Sequence, residues 1–95
     1  MDMTHNQQVN GDEQAKAKQQ AFFERARKGV LQYLIDKGGQ LPMSELHDYS
    51  LNKYLIQHQR FSEMMDSFVN EGLVDFDWSN HTAAITEAGR KFSAQ

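Results

Sequence analysis

The stretch NEGLVDFDWSNHTAAITEAGR, residues 70–90, decides how the rest of the chain is read. Gly72 ends an apolar helical pattern, because glycine tolerates the positive φ that lets a chain leave a helix and enter a strand at once. Beyond it, Val74, Phe76 and Trp78 alternate with Asp75 and Asp77, which is the period of a strand with one apolar face. Ser79-Asn80-His81 reads as a tight turn, and residues 82–85 as the returning strand. Thr86 then offers a side-chain oxygen to the unpaired N–H groups of a short closing helix that runs to Phe92.

Upstream of this stretch the period changes to that of helices. Phe61, Met64, Met65, Phe68 and Val69 recur at i, i+3, i+4, i+7 and i+8, which predicts a third helix over residues 58–71. Residues 43–49 predict a short second helix burying Leu46, with Pro42, the only proline, in its first turn, where a missing N–H costs nothing. Residues 50–56 fit either a loop pinned by Leu51, Tyr54 and Leu55 or a continuation of that helix. Over residues 15–37, Phe22, Phe23, Ala26, Val30, Tyr33 and Leu34 share one arc of a first helix, with Glu24, Arg25, Lys28, Gln32 and Asp36 opposite. Glu24 and Lys28 are spaced for an i,i+4 pair, and Gly38-Gly39 supplies the helix stop. Residues 1–14 are almost wholly polar and read as a flexible tail, or alternatively as a glutamine-rich partner-binding arm.

A chain of 95 residues suits one small domain, here residues 15–95, with ten aromatic residues to anchor its core. The absence of cysteine excludes disulfides, thiolate metal sites and a cysteine nucleophile. No apolar run approaches the roughly 18 residues of a membrane span, so a soluble, cytoplasmic protein is expected.

The order of three helices, a hairpin and a final helix resembles a winged helix-turn-helix domain. The strings Glu71-Gly72-Leu73 and Thr86-Glu87-Ala88-Gly89 are similar to those that close the third helix and follow the second wing strand in small MarR- or PadR-type bacterial and archaeal regulators. The resemblance covers Phe22 to Phe92. It implies a mainly α fold with a small β-hairpin, in the order α-α-α-β-β-α, and a DNA-binding transcriptional regulator. In such a protein the third helix enters the major groove and the hairpin touches the flanking backbone. Carried onto this chain, the nucleic-acid contacts fall to Lys53, His58, Gln59 and Arg60, with His81 on the phosphates. Phe22 or Phe23 then helps to form a homodimer through the first helix. From Leu46 to Gly72 is 26 positions, longer than in compact members, and the extra residues fall around Leu51–Gln57, where the angle between the second and third helices is set.

Charge points to a second reading. The solvent face of the third helix carries Gln59, Glu63, Asp66, Ser67 and Asn70, with Arg60 at its edge. From Asp36 to Gln95 five cations face nine carboxylates, a balance of −4, whereas residues 16–28 hold five cations and Glu24 alone. DNA affinity rests largely on Lys and Arg neutralising phosphates. The alternative is therefore a winged-helix protein–protein interaction module, with an acidic third helix that does not bind DNA.

No cofactor, metal site or enzyme signature emerges. His5, His47, His58 and His81 share no ligand spacing, and His47-Asp48 reads as a solvated pair before it reads as a proton relay. Met64 and Met65 read as core filler, and Trp78 as either a core cover or an exposed anchor.

Overall fold

The computed structural model describes residues Asp2–Gln95, with side chains described from Ala15 onward. The polar tail expected over residues 1–14 lies outside the residues whose side chains are described. Four helices and three strands follow in the order α1 (Asp2–Asp36), β1 (Gln40–Pro42), α2 (Met43–Tyr54), α3 (His58–Asn70), β2 (Val74–Asp77), β3 (Thr82–Ile85) and α4 (Glu87–Ala94). The fold is mainly helical with a small antiparallel sheet of order β1-β3-β2. No helix among the described residues is long and apolar enough to cross a membrane.

The sheet corrects the expected two-stranded hairpin and the order α-α-α-β-β-α. Strand β1 pairs with β3 in the register Leu41↔Ala83, so a third strand sits between α1 and α2. Three residues with one buried side chain, Leu41, are too short to show a period. Pro42 ends this strand with φ −60° and ψ 144°, and serves as the residue that opens α2 rather than lying within its first turn. A proline is tolerated there because β1 is an edge strand.

Helix α2 continues through the segment that fitted two readings. Ser50, fully buried, returns its hydroxyl to the Leu46 carbonyl at 2.8 Å, which makes a polar side chain acceptable inside the helix. The helix closes on Leu55, which adopts a left-handed φ of 58°, with Leu55 N–H donating to the Leu51 carbonyl and Ile56 N–H to that of Ser50. A stack of aromatic rings seals α2 against α1. Tyr33 and Tyr49 lie face to face at 3.8 Å, Tyr54 meets Tyr49 edge-on, and Phe22 meets Tyr54 edge-on.

The core gathers Ala26, Val30, Leu31 and Leu34 of α1, Leu46, Phe61, Met64, Met65 and Phe68, and Leu73, Val74 and Ala83 from the sheet side. Leu31 belongs to it although it was not placed in the apolar arc, while Val69 remains 42% exposed at the end of the stripe that predicted it buried. The helix stop at Gly72 is as expected, with φ +74° and Leu73 N–H donating to the Phe68 carbonyl at 2.8 Å. Thr86 Oγ1 accepts from Gly89 N–H at 2.9 Å and donates to the Gly72 carbonyl at 2.7 Å, so one hydroxyl caps α4 and ties it to the end of α3.

Candidate functional site

A cleft of about 420 Å³ opens between the start of α2, the outer face of α3 and the hairpin. Each wall follows from local periodicity. On α3, His58, Phe61, Ser62, Met65 and Asp66 fall at i, i+3, i+4, i+7 and i+8, so one helical face carries all five. On α2, Met43, Ser44 and His47 occupy the first two turns. On the hairpin, Phe76 and Trp78 share a face by the two-residue repeat, and their rings lie 4.3 Å apart at a tilt of 33°.

The turn that presents His81 is built by Asp77. Its carboxylate accepts from the N–H groups of Ser79 and Asn80 and from the Asn80 side-chain amide, and His81 itself takes a left-handed φ of 52°. The His81 carbonyl then accepts from Met43 N–H at 2.8 Å, which docks the turn against the beginning of α2.

Inside the cleft, the His47 ring meets Phe61 edge-on at 5.0 Å and His58 edge-on at 5.5 Å. Its Nε2 is buried without a hydrogen-bond partner among the described residues. Asp66 is the one lining residue with a formal charge at neutral pH, and no lysine or arginine lines the cleft. Asp66 makes no ion pair among the described residues. Trp78 stands 72% exposed at the rim and so does not cover the core. Among the described residues no three His, Asp or Glu side chains converge as metal ligands.

The five residues expected to contact DNA do not form one surface. His58 and His81 line the cleft. Gln59 is exposed on α3 but does not line it. Arg60 turns toward α1, where its guanidinium lies 4.4 Å above the Phe23 ring and donates to Glu63 at 2.8 Å. Lys53 lines a separate depression with Tyr33, Glu45 and Tyr49 on the far end of α2. Arg27, counted in the basic stretch of α1, is only 5% exposed and belongs to the interior. It pairs with Glu24 in place of the expected Glu24–Lys28 pair.

The cleft is mainly apolar, with a few polar groups set into it. Its floor is aromatic and thioether surface, its polar atoms are imidazoles and hydroxyls, and its charge is negative. Comparison of the chain with protein-family models, curated proteins and solved structures finds no match.

Proposed function

We propose that the chain is a winged-helix interaction module that docks a protein partner in the cleft between α2, α3 and the hairpin. The order α-β-α-α-β-β-α keeps the three helices, the hairpin and the closing helix on which the winged-helix resemblance rests, with strand β1 added to it. The single observation that carries the reading is the cleft's lining: five apolar side chains and Asp66, with no lysine or arginine. Sequence-independent DNA affinity depends on such cations. An exposed Trp78 beside a partly filled apolar pocket is instead the composition of a protein-binding hot spot.

DNA binding by a transcriptional regulator is the second reading, favoured by the element order and by His58 and His81 on one concave face. Fold alone does not assign a role. Titration of the folded chain with a labelled pool of duplex fragments at low salt separates the two. The interaction reading expects no salt-sensitive complex at micromolar protein, and a photo-crosslinker at position 78 that captures one stoichiometric protein, lost on Phe76→Asp. Tight duplex binding that falls steeply with salt would overturn it.

A further inference from the structure

We infer that the cleft reads an arginine side chain on a partner protein, an inference that rests on the docking role proposed above. Three features of the cleft converge on this chemistry. The first is the aromatic wall: Phe76 and Trp78 line the cleft above the buried Phe61, and because Trp78 lies against Phe76 on one side and is 72% exposed, it is held in place while still presenting a π-face. Aromatic faces attract cations, and the planar, weakly hydrated guanidinium stacks on them better than an ammonium does.

The second is Asp66. It projects from the same face of α3 as Phe61 and Ser62, and it has no cationic partner among the described residues, whereas its neighbour Glu63 is engaged by Arg60. A carboxylate beside aromatic faces accepts the paired N–H groups of a guanidinium in a charge-assisted contact. Ser44 and Ser62, both exposed on the rim, offer hydroxyl oxygens to the remaining donors.

The third is what the cleft lacks and what surrounds it. No lysine or arginine lines it to repel a cation, and the excess of carboxylates over Asp36–Gln95, a balance of −4, favours the approach of a basic segment. A purely apolar anchor would leave Asp66 facing a partner it cannot satisfy.

The experiment uses the full chain labelled with 15N, with Trp78, the only tryptophan, as reporter. Three acetylated, amidated pentapeptides of the form Gly-Ser-X-Ser-Gly are titrated, where X is arginine, its neutral analogue citrulline, or leucine. Duplex DNA is titrated in parallel. The arginine peptide is expected to shift the Trp78 indole N–H and the amides of Ser62 and Asp66, and to bind at least about tenfold more tightly than the citrulline peptide. Asp66→Asn, a substitution at an exposed position, is expected to abolish that preference while leaving the amide spectrum of the core unchanged. Equal binding of the arginine and citrulline peptides overturns the inference, as does failure of all three. Seating of the leucine peptide alone overturns it but leaves the docking role standing. Duplex DNA moving these resonances while no peptide does overturns both.

Discussion

Arg27 on α1 and Glu71 just past the end of α3 are joined by a 2.6 Å hydrogen-bonded ion pair that spans 44 residues of chain. The same guanidinium takes Glu24 one turn away and lies over the rings of Phe68 and Phe92. One side chain thereby holds α1, α3 and α4 together. Its charge is buried while both carboxylates stay about half exposed, so the pair is only partly desolvated.

Loss of Arg27 is therefore expected to cost more than loss of its charge partner. Arg27→Met should lower unfolding free energy by about 1–3 kcal/mol, because the buried guanidinium bridges Glu24 and Glu71 and covers the rings of Phe68 and Phe92. Glu71→Gln should cost less than about 1 kcal/mol, because a half-exposed carboxylate loses less on neutralisation. Urea denaturation of the two variants measures the difference, and equal losses would contradict this account.

The closing helix depends on Thr86 and Gly89. A Cβ on Gly89 would run into the Leu73 carbonyl oxygen, which is backbone and does not yield, and would press on Ile85. Gly89→Ala should destabilise by about 1–3 kcal/mol. Thr86→Ala should cost about 1–2 kcal/mol through the lost cap and the lost bond to Gly72, whereas Thr86→Ser keeps the hydroxyl and most of the stability. Thermal melts of the three variants test the ranking.

Leu55 presents the opposite case. Its left-handed backbone suits glycine, and its side chain is 77% exposed, so little burial is lost on replacing it. Leu55→Gly is expected to raise unfolding free energy by about 0.5–1 kcal/mol, measured by the shift in denaturation midpoint. A fall in stability would mean that the leucine is held by contacts on its own surface.

Two tyrosines on the α1–α2 seam set an alkaline limit. Tyr33 ionises above its ordinary value of 10.0 because of desolvation, then its hydrogen bond to Glu45 and the charge of that carboxylate. Tyr49 is raised first by desolvation, and further by the neighbouring Tyr54, Tyr33 and Asp36. Since the folded state keeps both phenols neutral longer than the unfolded chain does, stability is intact below pH 10 and declines as pH rises beyond it. Urea midpoints between about pH 8 and 11 should show this decline, and Tyr33→Phe should lessen it.

The helices were legible because residues such as Phe61, Met64, Met65 and Phe68 repeat over several turns, and a repeat of that length survives local exceptions. Strand β1 was not, since Leu41 alone faces inward and its pairing with Ala83 depends on residues 42 positions away. Half of the cleft was written in the spacing of His58, Phe61, Ser62, Met65 and Asp66, a stripe beside the core stripe that mixes polar and apolar types and so shows no hydropathy period. His47 and Ser44 reach the same cleft only because α2 crosses α3 there, which sequence spacing does not encode. Arg60 does not line the cleft because Phe23 and Glu63 hold its guanidinium on the side toward α1.

The small sheet has a mechanical consequence. Met43 N–H is fastened to the His81 carbonyl at one end of the β1–β3 ladder, and Ile85 N–H to the Gly39 carbonyl at the other. The hairpin is thus riveted at two points to the link between α1 and α2 and does not swing as a loose flap. A load on the hairpin at His81 is therefore passed to Met43, where α2 begins.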